Sequence, residues 1–258
     1  MDRCIFHFCQ LLHFMRHILI LSSLIASTLF TCGQGDPKLT EIWNPVPKVV
    51  TPGKTSSDAP SDAIVLYNKK ADTSKWENVN GGAFNWNTDG EAITVKASAG
   101  NIQTRQSFGD CQLHIEWKTP AVVKGDGQGR GNSGIFLMGR YELQVLDSYN
   151  NTTYSNGQAG SIYKQHMPMV NVCRPPGEWQ TYDIIFTAPQ FYSDSSLKSP
   201  ARITVFQNGT LIQNNVEIWG GTGHIGVPKY VKHPAKEPLI LQDHGNPVSF
   251  RNVWIREL

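Results

Sequence analysis

Apolar and polar residues alternate with a period of two along most of the chain beyond about residue 62. Cys111–Lys118 is the cleanest stretch: Leu113, Ile115 and Trp117 fall on one side, Gln112, His114, Glu116 and Lys118 on the other. That pattern predicts a strand with one face in a core. Ala63–Tyr67, Ala92–Lys96, Gly134–Met138, Arg140–Leu146, Tyr182–Thr187, Arg202–Gln207, Leu211–Asn214, Pro238–Asp243 and Val248–Arg256 read as further strands. Asp89-Gly90, Gly139 and Asn208-Gly209 supply hairpin turns, since Gly and Asn tolerate the positive φ that tight turns need. No window of twelve residues after Cys32 carries a helical stripe. Short strands separated by Gly-, Pro- and Asn-rich turns predict an all-β, jelly-roll β-sandwich forming one domain over residues 62–258.

The N-terminal part departs from this pattern. Arg16 and His17 precede an apolar run, Ile18–Phe30, which is too short for a stable membrane span. Residues 1–31 therefore read as a signal peptide, with Met15 as an alternative start. The run ends Leu29-Phe30-Thr31-Cys32-Gly33, which resembles a bacterial lipoprotein cleavage box, so Cys32 is the expected lipidation site and ordinary secretion the alternative. Residues 32–61, rich in Pro, Lys, Thr, Ser and Asp, read as a flexible tether between a lipid anchor and the domain. These features predict an exported lipoprotein of the periplasm or outer membrane.

Charge and cysteine content narrow the function. Lys and Arg total 23 against 21 Asp and Glu, a net charge of +2, which gives no field to hold a polyanion and argues against nucleic acid. Cys111 and Cys173 remain after Cys4, Cys9 and Cys32 are assigned to the leader and the lipid, either bridged or as two buried thiols. Seven Trp and eight Tyr serve core filling or stacking on sugar rings; Trp179 is expected in the core.

Two clusters carry candidate chemistry. In Tyr141-Glu142-Leu143-Gln144-Val145-Leu146-Asp147, strand geometry projects Glu142 and Gln144 to one face. Asp147 needs a bulge near Ser148 to join them. The spacing Glu-x-Gln-x-x-Asp resembles the Glu-x-Asp-x-x-Glu strand of laminarinase-type glucanases, whose outer carboxylates act as nucleophile and acid/base; here the middle acid is an amide and the last is one methylene shorter. The second cluster, Leu241-Gln242-Asp243-His244, places Gln242 and His244 on one face, with Arg251 on a strand expected to lie beside them. His suits proton transfer near neutrality and Arg holds an oxyanion. Between the clusters, Tyr163, Lys164 and His166 sit on or beside a loop within reach of a cleft.

Six segments in order resemble the 3-keto-disaccharide hydrolase domain family, also described as 3-keto-glucoside 1,2-lyases and 3-keto-2-hydroxyglucal hydratases. They are Asn132–Ile135, Tyr141–Asp147, Ser161–Tyr163, Pro176–Trp179, Asn208-Gly209 and Leu241–Val253. The resemblance covers about Asp62 to Leu258 and implies a concanavalin-like sandwich, exported from bacteria, acting on glycosides oxidised at C3. The chain departs from the family in a long insertion, Val123–Arg130, and in a polar loop, Thr152–Asn156.

A ketone at C3 acidifies the C2 hydrogen, so elimination across C1–C2 followed by hydration amounts to hydrolysis. That chemistry needs a base, an acid for the leaving oxygen and a partner for the enolate. Glu142 or His244 is the expected base and Asp147 the leaving-group acid, with Asn132, Gln144, Tyr163, Lys164, His166, Gln242 and Arg251 binding the sugar. A divalent cation on Glu142, Asp147 and His244 is an alternative charge stabiliser. A direct retaining glycosidase using Glu142 and Asp147, and a non-catalytic carbohydrate-binding lipoprotein, are the rival readings.

Overall fold

The computed structural model describes residues 35–69 and 72–258; the signal-peptide segment, Met15 and Cys32 lie outside them. Residues up to Val49 form a unit of their own, Val50–Leu258 a second. In the first, Asp36 caps a single 3₁₀ turn, Pro37–Thr40. Among the described residues no helix is long and apolar enough to cross a membrane.

The second unit is built from strands β1 (Ile64–Tyr67), β2 (Trp76–Asn78), β3 (Asn87–Thr88), β4 (Ile93–Thr94), β5 (Ile102–Phe108), β6 (Cys111–Lys118), β7 (Ser133–Leu137), β8 (Tyr141–Val145), β9 (Gln180–Thr187), β10 (Gln190–Phe191), β11 (Leu197–Ser199), β12 (Arg202–Gln207), β13 (Thr210–Glu217), β14 (Glu237–Leu241) and β15 (Ser249–Glu257). One sheet runs β13-β12-β9-β6-β15-β4-β3, with β1 also paired to β15. The other runs β2-β5-β14-β7-β8, and all of these pairs are antiparallel. The expected all-β sandwich is the observed architecture.

Alternation explains how the sheets close on each other. Leu113, Ile115, Trp117, Tyr182, Ile184 and Phe186 from the larger sheet share one core with Ile135, Leu137, Tyr141, Leu143, Val145, Leu239 and Leu241 from the smaller. Each such side chain contributes about 1.5–3 kcal/mol on burial. Tyr141 packs on Phe186 with ring centroids 5.8 Å apart, and the Tyr182 hydroxyl donates to the Gln144 carbonyl at 2.8 Å, so β8 is pinned from beneath. The turns follow their residues: Met138-Gly139 and Asn208-Gly209 both have two consecutive positive φ values, the geometry of the tightest hairpins.

Several expectations need correction. The tether does not extend to residue 61: Val50 onward belongs to the domain, and the Ser57 carbonyl accepts bonds from Asn252 and Trp254 on β15, each 2.9 Å. That strap covers His114, which is 1% exposed despite its polar-face register and stacks on Trp254. Trp179 is not core; it is half-buried, with the Arg251 guanidinium 4.0 Å and the Lys118 ammonium 4.6 Å from its ring centre. Of the two alternatives left open for Cys111 and Cys173, free thiols are what the structure shows, Cys111 buried and Cys173 half-buried.

Candidate active site

The smaller sheet turns one face to the core and the other outward, and the outward face carries the cleft. Pairing aligns Phe136 with Glu142 and Gly134 with Gln144 across β7 and β8. Next to them the Gln242 backbone N–H donates to the Gly134 carbonyl at 3.0 Å, placing Gln242 just past the end of β14. Glu142, Phe136, Gln144 and Gln242 thus form a floor. Gly134 is required in its middle: a Cβ there would stand 2.6 Å from Glu142 Oε1 and 2.9 Å from the Phe136 ring.

Two segments wall this floor along the exposed edge of β8. Residues 160–163 follow that edge: the Gln144 backbone N–H donates to the Ser161 carbonyl at 3.0 Å and the Tyr163 backbone N–H to the Glu142 carbonyl at 3.2 Å. The run delivers Tyr163 and Lys164 to the cleft, and Lys164 holds a φ of +58°. Such a backbone outlier in a lysine is the kind of strain that accumulates at functional sites. On the other wall, Thr222 accepts a bond from the Glu142 backbone N–H at 3.0 Å and brings His224 over the cleft. His244 enters from beyond β14, its loop pinned by Asp243, whose carboxylate accepts from Gly100 and Gly245.

The segments Val123–Arg130 and Thr152–Asn156 meet here. Gln128, from the Val123–Arg130 insertion, donates to Thr153 Oγ1 at 3.0 Å and to the Gly157 carbonyl at 2.9 Å, tying the insertion to the 152–156 loop. Its Oε1 accepts from Gln144 Nε2 at 3.2 Å, and Asn132 Oδ1 accepts from the same amide at 3.3 Å. The result is a cavity of about 410 Å³ bounded by Gln128, Asn132, Phe136, Glu142, Gln144, Tyr154, Tyr163, Lys164, Thr222, Gly223, His224, Gln242 and His244. That volume suits a small polar ligand.

Glu142 is the group whose environment stands out. It is 5% exposed, and burial pushes its carboxyl from 4.5 up to about 8, with no cation opposing the shift. Tyr163 donates to or accepts from Tyr154 at 2.7 Å and approaches His224 Nδ1 at 3.4 Å. Burial and the Tyr154 contact hold its phenol well above the ordinary range, so it stays protonated. The Lys164 ammonium donates to the His224 carbonyl at 2.6 Å, which aims it across the cleft mouth. Gln144 Oε1 and Gln242 Oε1 are buried without a hydrogen-bond partner. Unmet acceptors of this kind cost free energy unless a ligand supplies donors.

Glu142, Asn132, Gln144, Tyr163, Lys164, Gln242 and His244 therefore come together as the sequence suggested. Three candidates do not. Asp147 is buried against Arg130, its Oδ2 2.7 Å from the guanidinium Nε, and borders a different depression. Arg251 lies on the larger sheet, bonded to Glu116 and Glu91, because its partner strand is β6 rather than β14. His166 packs on Trp219 and bonds the Glu217 carbonyl at 2.7 Å. A cation held by Glu142, Asp147 and His244 does not fit, since Arg130 occupies the Asp147 carboxylate. Among the described residues no three His, Cys, Asp or Glu side chains converge on a metal position. Sequence reading missed His224, Gln128 and Tyr154, all on loops without periodicity; the polar character of the insertion and of the 152–156 loop was the available signal for the last two.

The site is thus an amide-rich cleft with one buried carboxyl on the outer sheet face of a β-sandwich. Residues 62–256 match the 3-keto-alpha-glucoside-1,2-lyase-like domain, and the chain belongs to that family. Membership places it with enzymes that act on sugars. A candidate glycosyl hydrolase of Parabacteroides distasonis superposes with a TM-score of 0.82 at 52% identity, covering 86% of this chain and 97% of that one. A second from the same organism, 23% identical over 76% of this chain and 94% of its own, has a TM-score of 0.56 and shows the fold alone. A 3-keto-disaccharide hydrolase of Bacteroides thetaiotaomicron is 24% identical, over 74% of this chain and 73% of the relative.

Proposed function

We propose that the protein cleaves 3-keto-glycosides by elimination across C1–C2 followed by hydration, outside the cytoplasm. The observation that carries this is Glu142, a lone carboxyl in the cleft with its acidity moved toward neutrality, surrounded by amides, phenols and a lysine. Ionised Glu142 takes the proton from C2 as the C2–H bond breaks. The electron pair moves toward the C3 oxygen, where the Lys164 ammonium stabilises the enolate. The enolate collapses to form C1=C2, the C1–O bond breaks, and the Tyr163 hydroxyl protonates the leaving oxygen. Once the alcohol has left and Glu142 has exchanged its proton with solvent, water adds its oxygen to C1 and gives its proton to the Tyr163 phenolate, while Glu142 delivers a solvent-derived proton to C2. Tyr163 replaces the role first given to Asp147, whose carboxylate belongs to Arg130. Gln144, Gln242, Asn132 and His244 orient the hydroxyls. The same displacement of Asp147 weighs against a retaining glycosidase, which needs two carboxyls about 5–5.5 Å apart.

The test is product analysis on 3-keto-trehalose, 3-keto-lactose and their unoxidised parents, with and without a chelator. Cleavage of the keto forms alone is expected. Cleavage of the parents would favour a direct glycosidase, and binding without product a sugar-binding module. The proposal includes export and lipid attachment at Cys32. Labelled palmitate should enter the wild-type protein and not Cys32→Ser; equal labelling of the two would exclude that anchor.

A further inference from the structure

Beyond the Thr222–Gly223 ridge lies a second depression of about 260 Å³, which shares those two residues with the cleft as a common wall. Its rim is the loop following Trp219. The loop's neck is closed by a bond from Gly221 N–H to the Lys229 carbonyl at 3.2 Å, and Gly220, at φ +147°, comes so near the Lys229 backbone that a Cβ there would overlap it. Thr222 fastens the near side to β8 by donating its N–H to the Arg140 carbonyl at 2.8 Å. The loop is thus a built feature, and its tip holds Ile225 and Val227, each 89% exposed, around Gly226 at φ +97°. Pro228 and Val231 extend the apolar rim.

A lone exposed aliphatic side chain needs no explanation. Two at the tip of a fastened loop, lining a hollow contiguous with the cleft, are placed to be covered by something held there. The remaining walls are mixed: Lys229 and the glycine backbone at 221, 223 and 226 add polar surface, while the polar side chains at the ridge and beneath it are already engaged. The Arg140 guanidinium is bonded through two nitrogens to Glu237, and Thr222 Oγ1 already accepts the Glu142 amide. We propose that this depression is the subsite for the leaving-group half of the substrate and that it takes an apolar aglycone, the alkyl or aryl part of a glycoside of a non-sugar alcohol. The inference rests on the function proposed above, because only a glycosidic substrate has two halves joined at the ridge.

Cyclohexyl and methyl 3-keto-glucosides separate the two ideas. Their alcohols have similar acidity, so a difference between them reports contact rather than leaving-group quality. Binding of each, and of 3-keto-trehalose, is measured by calorimetry on Glu142→Gln protein and on the same protein carrying Ile225→Ser and Val227→Ser. The cyclohexyl compound is expected to bind about tenfold tighter than the methyl compound, the range one apolar group contributes in a hydrophobic pocket, and tighter than the disaccharide. The loop substitutions should reduce that ratio to near one. Equal affinities, tighter disaccharide binding, or a ratio indifferent to the loop substitutions would overturn the subsite. Wild-type protein that converts none of the compounds while this selectivity persists would count against the reaction and leave the subsite standing.

Discussion

Replacing Glu142 by Gln should make the protein more stable above about pH 6 while lowering its activity. The carboxyl titrates at 4.5 in an ordinary setting and at about 8 when buried in the folded domain. Between those values the unfolded chain has released the proton and the folded chain retains it, so each pH unit of rise favours unfolding by ~1.4 kcal/mol. The penalty is absent below pH 4.5, about 3 kcal/mol at pH 7 and about 5 kcal/mol once the pH passes 8. Gln keeps the shape and cannot ionise, but its buried amide lacks partners and costs about 1–2 kcal/mol. The net gain at pH 7.5 is therefore about 2 kcal/mol, or ~4–8 °C in Tm for a domain of this size, shrinking to nothing or reversing at pH 4. Thermal unfolding of both proteins from pH 4 to 9 reads this directly. A difference that does not change with pH, or a variant less stable throughout, would show that Glu142 is not a buried neutral acid.

Three further outcomes follow from the same geometry. Glu142→Gln should lower kcat by about 10²–10⁴-fold, the usual contribution of a general acid–base group, and wild-type kcat/KM should rise with pH toward a limb near 8; a limb near 4.5 would assign the base elsewhere. Gly134→Ala puts a methyl 2.6 Å from Glu142 Oε1, so the carboxyl must swing away. A loss of tenfold or more in kcat/KM is expected with the far-UV spectrum unchanged, whereas full activity would separate Glu142 from the chemistry. Asp147→Asn strips the countercharge from half-buried Arg130 and should cost about 1–3 kcal/mol in urea unfolding. Its kcat at a permissive temperature should stay within tenfold, since Asp147 does not border the cleft.

Local pattern was enough wherever one face of a strand meets the core. Cys111–Lys118 coincides with β6 because its apolar positions alternate without interruption, and Arg202–Gln207 with β12 because Ile203 and Val205 mark its inward face even though Phe206 points outward and Gln207 inward. β5 escaped notice because its inward row passes through Thr104, which is 1% exposed and bonds the Gln106 carbonyl, so polarity broke the pattern in the middle of a buried strand. β2, at three residues, is too short to show a period. In the site, the alternation that puts Glu142 and Gln144 on one face is local and was legible. What removed Asp147 and Arg251 is not local. Arg130 reaches Asp147 from seventeen residues away, and β15 pairs with β6 on the opposite sheet, turning Arg251 to Glu116. Chain order cannot reveal which sheet a strand joins.

Deuterium incorporation at C2 tests the central claim most directly. Cleavage of a 3-keto-glycoside in D₂O by elimination and hydration exchanges the C2 proton through Glu142, so the keto-sugar product should carry one deuterium at C2 from the first turnover. It should do so well above the exchange seen in substrate incubated without protein. Product that retains its original C2 proton while oxygen from solvent enters C1 would contradict the account, because bond cleavage would then have proceeded by direct displacement.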